Sequence, residues 1–211
     1  MATLSTMKSR IADELARSDL TSQIAAAITS AIAFYEGRRF WWNETTANLT
    51  TSASQEWYSS ADFADMPYIA EFDSVRLTVS GRPYPLIRRT YEEIEWLSAG
   101  TATNGDPTDY VYYAQQLRLY PVPNQARVLS LSYVKKLTAL SSDSDTNAWT
   151  TEAEELIRTH AKVDLLENII RSADAFQEAD RLRRREAEIL GRLDQETAQR
   201  VSSRGIVPSY L

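Results

Sequence analysis

Leu20, Ile24, Ile28 and Ile32 recur every four residues with Ala27, Ala31 and Tyr35 beside them, a spacing that predicts a long amphipathic helix. It is expected to start at Ser18-Asp19, whose side-chain oxygens suit an N-cap, and to run through Ala25–Ala27 toward Phe40, with Gly37 a weak point near its end. A shorter helix over about Ser5–Ala16 precedes it. Downstream the period falls to two. Ser74–Val79, Tyr110–Tyr113, Gln116–Tyr120 and Val128–Val134 alternate in polarity and are rich in β-branched and aromatic residues, which predicts strands. Gly81-Arg82-Pro83, Asn104–Pro107 and Pro121–Asn124 punctuate them as turns, and Tyr91–Leu97 interrupts with a helical turn or two. Helical periodicity then returns. Thr150 or Thr151 is expected to cap a helix whose face is Ile157, Ala161, Leu165 and Ile169. After a break at Ser172-Ala173-Asp174, Phe176, Ala179, Leu182, Leu190 and Leu193 continue a helical face to about Arg200.

The pattern divides the chain into N-terminal helices (1–44), a β-rich insertion (45–140), C-terminal helices (141–200) and a short tail (201–211). The fold class that follows is α+β: a helical bundle formed by the N- and C-terminal helices, with a mainly antiparallel β insertion between them.

Composition narrows the function more by exclusion than by assignment. The chain has 211 residues, 43% hydrophobic and 25% charged, which is enough for a sizeable core and argues against disorder. It has no cysteine, so disulfides, thiolate nucleophiles and thiolate zinc sites are excluded. No apolar run reaches the roughly 20 residues of a membrane span, and the first ten residues hold no apolar signal segment. The net charge of −6 is spread along the chain, so no region is a basic nucleic-acid footprint. Arg181, Arg183, Arg184 and Arg185 form one basic run, but Glu178, Asp180, Glu186 and Glu188 lie at ion-pairing spacings around it and favour a salt-laced helix.

Several constellations bear on chemistry. His160 is the single histidine, with Asp164 one helical turn on, where a carboxylate could orient an imidazole; no GxSxG elbow accompanies them. Asp143-x-Asp145-x-Asn147 with Glu154 at the twelfth position has calcium-loop spacing, but Ala148 stands where such a loop needs glycine. The simpler reading of that stretch is a solvated loop capping the next helix. Glu92, Glu93, Glu95, Asp106 and Asp109 supply carboxylates of the kind a glycoside hydrolase uses, but the same residues in turns and helix starts are commonly plain solvated charge. No phosphate loop, dinucleotide fingerprint or HExxH occurs, so no cofactor and no metal are expected.

Aromatic residues are the more telling surplus. Phe40, Trp41, Trp42, Trp57 and Trp96 are candidate interface anchors, since Trp, Tyr and Arg dominate protein contacts, and the alternative for them is core packing. The tail Gly205, Ile206, Val207, Pro208, Ser209, Tyr210 and Leu211 is apolar after a charged helix. It either docks on a partner or folds onto its own core.

The opening IADEL with TSQIAAAITSAIAFYEGRRFWWNE, and later LRLYPVPN with LSLSYVKKLTALSSDSDTNAWTTEAEELIRTHAKVDLL, resembles the head-to-tail adaptor (connector) proteins of tailed bacteriophages. The resemblance implies a structural protein without catalysis, at the neck of the virion after synthesis in the host cytoplasm. It implies a homo-oligomeric ring, usually twelve-fold, beneath the portal protein, with a tail-side connector or tail protein on its other face. Double-stranded DNA passes through such a ring without specific binding, and no membrane is involved. On this sequence the portal-docking arm would be Gly205–Leu211. The acidic balance suits a conduit, because each cationic phosphate contact adds affinity that would hinder passage. The alternative is a virion-associated cell-wall hydrolase using Glu92, Glu93, Glu95, Asp106 and Asp109.

Overall fold

A computed structural model of the chain describes residues 2–99 and 103–202, the last two by their backbone alone. In chain order it contains α1 (Leu4–Glu14), α2 (Thr21–Tyr35), β1 (Glu44–Thr50), β2 (Trp57–Tyr58), β3 (Ile69–Val79), β4 (Arg82–Pro85), β5 (Ile87–Arg88) and α3 (Tyr91–Ser98). There follow β6 (Asn104–Gly105), β7 (Asp109–Tyr113), β8 (Gln116–Tyr120), β9 (Val122–Pro123), β10 (Val128–Lys135), α4 (Ala148–Thr151), α5 (Glu154–Leu165) and α6 (Ala173–Ser202). The fold is α+β, with N- and C-terminal helices flanking the strands in sequence. The described residues form two compact units: a helical one, up to Trp42 and from Leu137 onward, and a β-rich one, Asn43–Lys136.

In the helical unit, Ile24, Ala27, Ile28 and Ala31 of α2 share one buried cluster with Leu156, Ile157, Ala161 and Leu165 of α5. Alanines on both helices permit close backbone approach, and Met7 and Ile11 of α1 complete the cluster. α1 begins with a reciprocal cap in which Thr3 and Thr6 exchange side-chain and backbone hydrogen bonds. α2 ends at Tyr35, short of the expected Phe40, so Gly37 lies in the turn that follows. Neither Ser18 nor Asp19 caps it: the first turn has no side-chain cap, and the Asp19 carboxylate is turned back to Arg17 at 2.7 Å. The expected cap at Thr150 or Thr151 is likewise replaced. Asn147 caps α4, and α5 starts separately after Ala153.

Between α5 and α6 the chain passes through a π-helical turn, Leu166–Ile170, and then Arg171 in the left-handed region at φ 53°. The wider turn breaks the four-residue phase. Ile169, expected on the buried face, is therefore 47% exposed, as is Phe176, while Ile189 takes a buried place on α6.

The β-rich unit consists of two four-stranded sheets, ordered β1-β10-β3-β4 and β2-β8-β7-β5, and a small parallel β6–β9 pair. The first sheet is antiparallel throughout, and its register explains its two faces. Ala47 faces Leu131, which faces Val75; Leu49 faces Leu129, which faces Leu77. These rows are buried apart from the half-buried Ala47, whereas the alternate rows, Thr46–Ser132–Ser74 and Asn48–Ser130–Arg76, are hydroxyl, amide and guanidinium side chains. Phe72 meets Tyr110 and Tyr112 edge to ring, at 6.1 and 5.3 Å, and joins the two sheets in one core. The first and last strands pair along their length, and the Lys135 N–H donates to the Asn43 carbonyl at 2.8 Å.

Candidate functional site

The five candidate aromatic residues sit in unlike surroundings. Phe40 is fully buried and stacks on Trp42 at 4.5 Å, and both meet Trp149 edge to ring at 6.0 and 6.2 Å. Trp41 is half-buried beneath the Arg200 guanidinium, 3.6 Å from its ring centroid. This part of the sequence packs the end of α2 onto α4 and α6. Trp57 is half-buried in the β-rich unit. Trp96, by contrast, is 79% exposed.

The helix that carries Trp96 is firmly held. Thr90 and Glu93 exchange side-chain and backbone hydrogen bonds at its start, and Ile94 is fully buried. The Tyr120 hydroxyl donates to the Leu97 carbonyl at 2.9 Å. On its inner face the Arg118 guanidinium, nearly buried, donates to Glu56, Glu95 and Ser98 and lies 5.1 Å from the Trp57 ring and 6.0 Å from that of Tyr91. Tyr91 in turn packs on the exposed Tyr113 at 4.6 Å. An exposed tryptophan on so constrained a helix costs little ordering entropy to engage.

The acid-rich loop does not gather into a cation site. The carbonyls of Asp143 and Asp145 accept the N–H groups of Ser5 and Leu4, closing the start of α1, and the Asp143 carboxylate pairs with Lys8 at 2.6 Å. The Asp145 carboxylate accepts the N–H groups of Ser142 and Ser141, and these backbone bonds hold it below the ordinary aspartate range. Glu154 pairs with Arg10 at 2.8 Å. Among the described residues no group of three or more His, Asp or Glu side chains is placed to hold a metal ion.

His160 does not use Asp164, which instead accepts from Asn168 at 2.6 Å. Its Nδ1 lies 2.6 Å from Glu186 Oε1, an oxygen that also accepts the Tyr35 hydroxyl, and Phe34 stacks on the ring at 4.9 Å. The group ties α2, α5 and α6 together.

The carboxylates proposed for hydrolysis are mostly committed to different arginines: Asp109 to Arg89 at 2.7 Å, Asp106 to Arg127 at 3.0 Å, Glu95 to Arg118. Glu93 caps its helix, and the Thr90 N–H holds it below the ordinary glutamate range. Glu92 is exposed on the same helix. A glycosidase needs two carboxylates facing one scissile bond, and these are held by three separate arginines. The basic run on α6 is paired as well: Arg181 with Glu178, Arg183 with Glu167, and Arg185 with Glu155 and Glu188, while Arg184 donates to the Asp180 carbonyl.

The sequence pattern gave no warning of a cleft of about 340 Å³ in the helical unit, lined by Ile28 and Ile32 of α2, Leu137, Leu140 and Trp149. Gly205–Leu211 lies outside the described residues. Among the described residues no helix is long and apolar enough to cross a membrane.

A family model described as SU10 adaptor protein matches residues 2–208. No curated protein matches the sequence.

Proposed function

The chain belongs to the SU10 adaptor protein family, a phage head-to-tail adaptor family, and on that premise we propose that its copies form a ring, twelve-fold as the resemblance implies, that docks on the portal and links the capsid to the tail. The observation that carries this reading is the extent of the family match, nearly the whole chain. In this reading Gly205–Leu211 is the portal-docking arm, and Trp96 on its braced helix is an anchor for the tail-side component or a neighbouring copy. The ring sits at the neck of the virion, and double-stranded DNA passes through it without being gripped. The pairing of Arg181, Arg183 and Arg185 with acids supports that last point, because paired guanidinium groups are less available to phosphates. The commitment of Asp106, Asp109 and Glu95 to arginines supports a structural rather than a hydrolytic part.

The test is electron microscopy of the purified chain mixed with the portal protein of the same phage. Rings stacked coaxially on the portal are expected. Absence of binding by the full-length chain would overturn the proposal.

A further inference from the structure

Among the described residues the two four-stranded sheets present four edge strands, and three of them are blunted. β4 carries Pro83 and Pro85, which have no backbone N–H to donate. β2 and β5 are two residues long each. The fourth, β1, is seven residues long, contains no proline and carries no charge from Thr45 to Thr50. It pairs on one side with β10, and no strand pairs with its other side. Soluble proteins shorten, charge or cover such edges, because the free row of N–H and C=O groups is a template for another strand.

We propose that β1 pairs edge to edge with β1 of a second copy, antiparallel and centred on Ala47. The strand is self-complementary in that register. Thr45, Ala47 and Leu49 lie on the face whose β10 neighbours are Tyr133, Leu131 and Leu129, all buried. Thr46, Asn48 and Thr50 lie on the opposite, exposed face. Antiparallel pairing about Ala47 sets Ala47 against the second copy's Ala47 and Thr45 against its Leu49, so the core-facing row continues across the junction. On the other face Thr46 meets the second copy's Asn48, extending the polar row of Ser130 and Ser132. No like charges are opposed. Register slipped by one residue would put Leu49 on the polar face, and of the registers that keep the faces only the one about Ala47, the midpoint of Glu44–Thr50, pairs the strand along its full length. One strand edge is small beside a standard interface of roughly 1,600 Å², so the pair is a weak, exchanging one. It is also closed by its two-fold symmetry, so a cyclic ring would need a different surface, and the two readings fail independently.

The absence of cysteine makes the test specific. Residues opposed across an antiparallel pair have Cα atoms about 4.5–5.5 Å apart, within the reach of a disulfide, whereas residues displaced by two positions are at about 7–8 Å. Full-length Ala47→Cys is therefore expected to form a disulfide-linked dimer under mild oxidation, several-fold more than Thr46→Cys or Asn48→Cys alone. Mixing Thr46→Cys with Asn48→Cys should restore the heterodimer. In the Ala47→Cys background, Thr46→Lys with Asn48→Lys should abolish the crosslink by opposing lysines. Mixing that protein with its Thr46→Glu, Asn48→Glu counterpart should recover it. These two positions are exposed, and circular dichroism checks that each variant is folded. Equal crosslinking by all three single-cysteine proteins, no crosslinking by Ala47→Cys, or indifference to the lysine pair would overturn the proposal.

Discussion

His160 Nδ1 and Glu186 Oε1 lie 2.6 Å apart, and the Tyr35 hydroxyl donates to the same carboxylate oxygen. One acid thus holds three helices. Burial works to raise the pKa of Glu186, but the hydrogen bonds from His160 and Tyr35 prevail and hold it below the ordinary glutamate range. A carboxylate with a depressed folded-state pKa contributes stability above its unfolded pKa of about 4.3 and loses it as pH falls through the folded value. Glu186→Gln is expected to cost about 1–3 kcal/mol at neutral pH and to shrink the loss of stability on acidification below pH ~4. Urea unfolding at neutral and acid pH measures both. An unchanged acid profile in the variant would remove Glu186 from the account.

Arg118, nearly buried in the β-rich unit, is paired with Glu56 and Glu95 and flanked by Trp57 and Tyr91. Arg118→Ala should destabilise by about 3 kcal/mol or more, because it removes a nearly buried partner and its packing. Arg118→Met should cost clearly less: the apolar stem survives, and Glu95 has a half-exposed side chain that water can solvate. Arg118→Lys loses the planar fork and should not rescue. Thermal unfolding of the three variants gives the order.

Asn147 accepts the Trp149 N–H at 2.9 Å and donates to the Thr138 carbonyl at 2.8 Å. Asn147→Ala should therefore lower stability by about 1 kcal/mol. Calcium should give no heat in a calorimetric titration, since Asp143, Asp145 and Glu154 are spent on Lys8, on backbone N–H groups and on Arg10. A measurable calcium heat lost in Asp145→Ala would reverse that assignment.

These three sites mark where the sequence stops being readable. The four-residue stripe of α2 and the alternation of β10 report burial directly, because helix and strand periods repeat within a few residues. Both elements lie where the pattern puts them. The end of α2 does not, since Phe40 and Trp42 leave the helix to pack on Trp149, a hundred residues away in sequence. The same distance defeats local reading of polar partners. Asp164 is the nearest carboxylate to His160 on one helix, but Glu186 arrives from another. Asp143 has calcium-loop spacing to Asp145 and Asn147, but Lys8 arrives from α1. The π-turn Leu166–Ile170 starts before the expected break at Ser172-Ala173-Asp174 and takes Ile169 out of the four-residue phase of α5.

Trp96 and the tail separate surface roles from folding roles. Trp96→Ala should change stability by less than about 0.5 kcal/mol, since the ring is 79% exposed. Where the ring anchors a tail-side partner or a neighbouring copy, the same substitution should weaken that association several-fold, read by co-sedimentation of assembled necks.

Deletion of Gly205–Leu211 should leave thermal unfolding of the chain unchanged and weaken its association with the portal. Lowered stability of the truncated chain would show instead that the tail belongs to the core.

The pairing of β1 with β10, sealed by the hydrogen bond from Lys135 to Asn43, has an evolutionary corollary. The β-rich unit begins and ends at neighbouring backbone positions, so the chain leaves for it and returns at nearly one point. Lineages can then enlarge, trim or replace the whole unit as a cassette while the spacing demanded of the flanking chain stays the same. Change within the unit can then accumulate without renegotiating the packing of α2 against α5.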